Sequence, residues 1–141
     1  MVTNSPLNFS NDSVEAIVVG GNGGIGQALV KKLSQLNNIS SVYCCSRREP
    51  SELASKVNWV HFDITNETSI IKASKDIKQL SQNVRLIIIA SGILRDKFLN
   101  MPEKSLKDIN ADYFFEIFKI NTLGPILTAK HFTSLFEKQG K

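Results

Sequence analysis

The chain has 141 residues, one domain's worth on a prior of about 100–200 residues per domain. Apolar residues make up 42% and charged residues 21%, a balance that builds a core and argues against disorder outside a polar N-terminal arm, residues 1–12. Seventeen basic against thirteen acidic residues leave +4, with lysines scattered singly or in pairs such as Lys31-Lys32, which speaks against nucleic acid as a partner.

The arm carries no apolar stretch of the kind a secretory signal needs. No run approaches the roughly twenty apolar residues of a membrane span, so no membrane partner is expected. Val14 to Val19 follows the arm as a short apolar run and predicts a buried strand. Glycines come next, and Ile25, Ala28, Leu29, Leu33 and Leu36 then recur at helical spacing towards Asn37-Asn38. Ser41 to Ser46 reads as a second strand, with Val42 and Tyr43 as its β-formers. Cys44 and Cys45 are adjacent there, so they point to opposite faces and make poor disulfide partners. That usage fits a reduced, cytoplasmic compartment. The stretch from Ser51 to Lys56 has room for only a turn or two of helix. Val57 to Phe62 predicts a third strand, and Thr65-Asn66-Glu67-Thr68 opens a helix carrying Ile70, Ile71, Ala73, Ile77 and Leu80, with Thr65 as its expected N-cap.

Val84 to Ala90 is the most hydrophobic segment, a continuous run of the kind buried on both faces of a parallel sheet. A loop from Gly92 to about Asp108 precedes one long helix from Ala111 to about Lys138, kinked at Gly124-Pro125 where proline removes a donor. The order β-α-β-β-α-β-loop-α predicts an α/β, Rossmann-type doubly wound parallel sheet over residues 13–141.

Two glycine registers fit the turn after the first strand. Gly21, Gly23 and Gly26 satisfy G-x-G-x-x-G; Gly20, Gly24 and Gly26 satisfy G-x-x-x-G-x-G. Either way one glycine allows the tight turn, one lets backbone approach a pyrophosphate, and one lets helix and sheet pack closely. The second register is preferred, because Gly20 directly follows the strand and Gly24-Ile25-Gly26 opens the helix. A dinucleotide fold that reads a free ribose 2′-hydroxyl places an acid about 20 residues on. Here that place holds Ser46, Arg47 and Arg48, with no acid before Glu49. A hydroxyl and two guanidiniums suit a 2′-phosphate, so the expected cofactor is NADP(H) rather than NAD(H). Arg48 is the better candidate for a solvated bystander.

With these features the sequence resembles the short-chain dehydrogenase/reductase family. Its glycine turn is similar to T-G-x-x-x-G-I-G, with Val19 in place of the threonine. Phe62-Asp63-Ile64 is similar to the family's aspartate after the third strand, which implies that Asp63 accepts from the adenine amino group while Ile64 packs on the ring. Ile89-Ala90-Ser91-Gly92 stands where the family has N-N-A-G. Only the glycine matches, which leaves backbone contacts of Ala90, Ser91 and Gly92 to the cofactor ribose. Asn22 and Ile25 belong to the same implied cofactor set. Asn121, in Lys119-Ile120-Asn121-Thr122, is similar to the asparagine of an Asn-Ser-Tyr-Lys tetrad that holds a water for proton relay. The stretches Gly92-Ile93-Leu94, Pro102 to Leu106 and Asn121 to Pro125 resemble the C-factor-like branch more specifically.

The tetrad's tyrosine and lysine lie four apart. Four residues after Tyr43 is Arg47, and four after Tyr113 is Ile117, so neither tyrosine has its lysine. The resemblance implies that Lys141 falls where the family begins its fifth strand, ahead of the catalytic serine, tyrosine and lysine. The expectation is a cofactor-binding N-terminal part of an oxidoreductase that interconverts carbonyl and hydroxyl groups of an unknown small substrate, inactive by itself. It would form a homo-oligomer or associate with a C-terminal half. The rival reading is a non-catalytic dinucleotide-binding or signalling module, and a nucleic-acid-binding domain comes third. His61 and His131 lack metal-ligand company, and no G-x-S-x-G elbow surrounds Ser91. Phe114, Phe115, Ile117, Phe118 and Ile120 crowd the last helix on more than one side, serving core packing on one face and a partner surface on another.

Overall fold

Four runs of branched and aromatic residues become strands β1 (Val14–Val19), β2 (Ile39–Ser46), β3 (Val57–His61) and β4 (Val84–Ile89) in the computed structural model, which describes residues 13–94 and 103–136. The strands pair in parallel in the order β3-β2-β1-β4. Parallel neighbours need crossovers, and helices α1 (Gly24–Ser34) and α2 (Glu67–Leu80) supply two of them. The doubly wound α/β expectation holds for these elements. β2 begins at Ile39 rather than Ser41, β3 ends at His61 rather than Phe62, and β4 ends at Ile89 rather than Ala90.

Strand alternation sorts the core into two layers. Ile17, Val19, Tyr43, Cys45 and Val60 face α2, while Ala16, Val18, Val42, Cys44 and Val57 face Leu33 on the α1 side. The adjacent cysteines therefore do point to opposite faces, and both are free thiols. Burial pushes both thiols up, which keeps them protonated and inert. Glu15 is buried in β1, but its carboxylate accepts the Gln82 and Asn83 amides at 2.9 and 3.2 Å, tying β1 to the turn before β4.

The helix ends differ from expectation for local reasons. α1 stops at Ser34, short of Asn37-Asn38. The chain tightens there, Leu36 N–H bonding Leu33 O at 3.1 Å, and the Lys56 ammonium holds Leu36 O and Ile39 O at 3.0 and 2.8 Å. Asn66, not Thr65, caps α2, its Oδ1 accepting the Ser69 amide at 3.2 Å. Thr65 lies one residue earlier and donates its amide and hydroxyl to Asp63 Oδ1.

The expected single C-terminal helix is three segments: α3 (Ala111–Phe118), a π-helical turn (Lys119–Leu123) and α4 (Gly124–Phe132), ending in a short 3-10 turn. The irregularity lies just ahead of Gly124-Pro125. Pro125 has no N–H, so the donor that Asn121 O would receive in an α-helix does not exist. A Cβ on Gly124 would strike Ile64 Cγ1 and lie 2.7 Å from Ile64 O, so glycine there lets α4 approach the loop after β3. Phe132 then fills the core edge-on to Phe62 at 5.8 Å, a burial worth about 1.5–3 kcal/mol.

β4 lies at the edge of the described sheet, so Leu86 to Ile89 are half-buried rather than covered on both faces. No helix among the described residues is long and apolar enough to cross a membrane. The N-terminal arm, part of the loop expected between Gly92 and Asp108, and the expected helix end near Lys138 lie outside the described residues.

Candidate functional site

The chain reverses sharply between β1 and α1, and Gly20 makes the turn at φ +79°, a region that costs other residues a Cβ clash. The Gly20 and Gly21 amides both donate to Cys45 O, at 2.8 and 3.1 Å, and the Gly23 amide donates to Gly20 O at 3.0 Å. A Cβ on Gly20 would lie 2.7 Å from Ser91 Oγ, and one on Gly26 would strike Gly20 O. Gly24 faces open space. Gly20 and Gly26 therefore have steric reasons to be glycine, and Gly24 leaves its backbone bare. Gly21 adds a demand of its own, since a Cβ there would lie 2.6 Å from Cys44 Sγ. No side chain caps α1 at Gly23 and no acid stands in its first turn, which leaves its leading amides and the positive end of its dipole for an anion.

Beside this turn a cleft of about 500 Å³ opens at the carboxyl ends of the strands, within the roughly 300–1,000 Å³ of small-molecule sites. It lies where the strand order reverses, between β1 and β4, the place where open α/β sheets bind ligands. Gly20 and Asn22 line it, as do Ser46, Arg47 and Arg48 from the end of β2. Asp63 and Ile64 form the loop side, and Ala90, Ser91 and Gly92 the β4 side. Four expected residues do not line it. Gly26 is buried beneath the turn, Gly24 and Ile25 lie at the exposed start of α1, and Asn121 sits behind the end of β4.

Each polar group in the cleft has a defined setting. The Ser46 hydroxyl gives its proton to Arg48 O at 2.7 Å and accepts Trp59 Nε1–H at 3.1 Å, so it has no second proton to donate into the cleft, whose cationic groups at the end of β2 are Arg47 and Arg48. Asp63 Oδ1 accepts the Thr65 amide at 2.9 Å and its hydroxyl at 2.8 Å; those bonds leave Oδ2 uncommitted. Burial pushes the Asp63 carboxyl up, but the Thr65 bonds and the charges of Arg47 and Lys119 outweigh it and hold the pKa below the usual carboxylate value. It remains an anionic acceptor at neutral pH. The Asn121 amide is committed twice to one residue, Oδ1 accepting Ile93 N–H at 2.8 Å and Nδ2 donating to Ile93 O at 2.7 Å. It thereby fixes the chain just past β4.

Cys45, Phe62, Gly23, Thr65, Ile93 and Ile120 also line the cleft, although none is among the cofactor contacts expected from the sequence. Thr65 was legible in principle, since a threonine two residues after an aspartate is a turn signal. Ile120 arrives only through the π-helical turn. His131 pairs with Glu67 at 2.7 Å and His61 packs edge-on to Trp59.

The sequence profile of the short chain dehydrogenase family matches residues 15–141. An uncharacterized oxidoreductase of Schizosaccharomyces pombe is 30% identical over 132 residues, covering 86% of this chain and 48% of its own. The NADPH-bound carbonyl reductase from chicken fatty liver superposes with a TM-score of 0.75 at 21% identity, over 90% of this chain and 53% of that one. A short chain dehydrogenase of Leptospira borgpetersenii with bound NAD+ gives 0.70 at 23% identity, over 89% and 46%. The chain spans about half the length of the curated relatives it matches. With the profile covering nearly all of it, and the glycine turn and cleft where such a sheet places them, this chain belongs to the short chain dehydrogenase family.

Proposed function

We propose that this chain holds NADP(H), in preference to NAD(H), in the cleft at the carboxyl ends of β1, β2 and β4. We read it as the cofactor-binding part of an oxidoreductase of the C-factor-like branch, acting between carbonyl and hydroxyl groups. The observation that carries the cofactor preference is the pair Arg47 and Arg48 on the cleft wall at the end of β2, where a dinucleotide fold selective for a free 2′-hydroxyl has an acid.

The donor set fits such a dinucleotide. Gly24 has nothing within 4 Å of where its Cβ would be, so bare backbone and the uncapped amides of α1 can meet a pyrophosphate. Arg47 and Arg48 supply charge-assisted bonds to a 2′-phosphate, and Asp63 supplies an acceptor for an amino group. Ile64 offers an apolar wall, and the Asn121 clamp on Ile93 keeps the far end of the cleft in place. When bound, the nicotinamide supplies or takes the hydride. No tyrosine of this chain has a lysine four residues on, so the acid–base partner for that step is not among these residues.

Calorimetric titration tests the preference. A charge-assisted contact is worth roughly 1.5–3 kcal/mol, so NADPH should bind at least about tenfold tighter than NADH, and Arg47→Asp should reverse the order. Equal or tighter binding of NADH by the unaltered chain would overturn the reading.

A further inference from the structure

Arg47 and Arg48 are exposed, and among the described residues no salt bridge holds either guanidinium. Their backbone is what is fixed. Arg48 O accepts two hydrogen bonds, from Ser46 Oγ at 2.7 Å and from Asn22 Nδ2 at 3.1 Å. Behind Ser46 stands Trp59 of β3, whose Nε1–H donates to Ser46 Oγ at 3.1 Å. Behind Asn22 stands Gln27 of α1, whose Nε2 donates to Asn22 Oδ1 at 2.9 Å. One line of bonds therefore runs from Trp59 through Ser46, the Arg48 carbonyl and Asn22 to Gln27.

Its direction is fixed by chemistry. An indole N–H only donates and a carbonyl only accepts. Ser46 must therefore accept from Trp59 and spend its one proton on Arg48 O. Asn22 must turn its NH₂ to the same carbonyl and its oxygen to Gln27. The line bolts the arginine turn to the glycine turn, so the part of the cleft that meets a pyrophosphate and the part that meets a 2′-phosphate keep a constant separation. We propose that Trp59 and Gln27, neither of which lines the cleft, are positioning residues that set the selectivity for a 2′-phosphorylated dinucleotide by holding the Arg47-Arg48 turn against the glycine turn. This rests on the reading of Arg47 and Arg48 given above.

The test is calorimetric titration of NADPH and NADH into the unaltered chain, Trp59→Phe and Gln27→Ala. Phenylalanine keeps an aromatic ring and loses the N–H. Gln27 is exposed on α1, where alanine is a good helix former, so that variant keeps its fold even if Trp59→Phe does not; circular dichroism reports both. Each variant should lower the NADPH-to-NADH affinity ratio about two- to tenfold, the span of one net hydrogen bond, with NADH affinity unchanged. In a chain carrying Arg47→Ala and Arg48→Ala the same substitutions should change the ratio no further, because they act through those guanidiniums. An unchanged ratio in the folded variants, or an equal loss of both dinucleotides, overturns this proposal and leaves the arginine reading standing. A ratio of one in the unaltered chain overturns the arginine reading and this proposal with it.

Discussion

Gly24 and Gly26 are neighbours in the same helical turn, yet different physics demands each. Gly26 is buried under Gly20, whose carbonyl a Cβ would strike; Gly24 has open space in front of it. Gly26→Ala should therefore destabilise the fold by the roughly 1–3 kcal/mol typical of overpacking, read as a lower thermal midpoint. Gly24→Val should leave the circular dichroism spectrum and the midpoint near those of the unaltered chain while abolishing dinucleotide binding. Retained affinity in Gly24→Val would mean that phosphates sit elsewhere. Both glycines are legible in the sequence, because strand, glycine and helix follow each other within one turn. Ser46 was legible only as a position. Whether its hydroxyl gives or accepts is decided by Trp59, 13 residues away, and no local pattern announces that partner. Asp63 shows the same limit: its place after the third strand is readable, but its commitment to Thr65 and its lowered pKa depend on geometry.

Elements were legible where periodicity is strong and unreadable where backbone chemistry intervenes. The four strands fall within a residue or two of expectation, β1 and β4 because they are continuous apolar runs, β2 because Val42 and Tyr43 are β-formers, and β3 because its residues alternate. The last helix reads from the sequence as one piece from Ala111 to about Lys138 with a kink at Gly124-Pro125; its π-helical turn follows from a missing proline donor and from the fit of Gly124 on Ile64. That fit brings α4 onto α2, and Glu67 joins them, accepting from His131 Nε2 at 2.7 Å and Lys130 Nζ at 3.0 Å. The His131 bond first, then the Lys130 bond, hold the Glu67 carboxyl below its usual pKa. A carboxyl lowered in the folded state adds stability that is present above its unfolded pKa and is lost as pH falls through the folded one. Glu67→Gln should therefore melt below the unaltered chain at neutral pH, and the two curves should converge as pH falls past the carboxylate range. Parallel curves down to about pH 3 would show that the Glu67 charge contributes nothing.

At the scale of the whole molecule, the lack of a paired tyrosine and lysine and two apolar surfaces bear on what the 141-residue chain does alone. Neither tyrosine has its lysine, so the chain assayed by itself, free of host reductases, should show no dehydrogenase turnover with any alcohol or carbonyl substrate; one positive result overturns this. The two surfaces are the β4 edge and the outer face of α3. β4 is an edge among the described strands, with Leu86 to Ile89 only half-covered. An edge of that composition presents unpaired backbone groups as a template for another strand. Beyond the sheet, α3 turns Phe114 and Phe118 outward, stacked at 6.4 Å, with Phe115 67% exposed and Ile126 on α4 60% exposed. Contiguous apolar patches of this kind rarely remain solvated. Strand pairing at β4 and helix packing at α3 each withdraw one surface from water and leave the other open, so they can act together. The purified chain should therefore run as a dimer or larger species at tens of micromolar, about the range in which such surfaces associate. Replacing Phe114 and Phe118 with serine should shift it towards monomer if the helix face dominates and leave it assembled if the β4 edge does. Light scattering that reports a stable monomer for the unaltered chain would rule out both contacts.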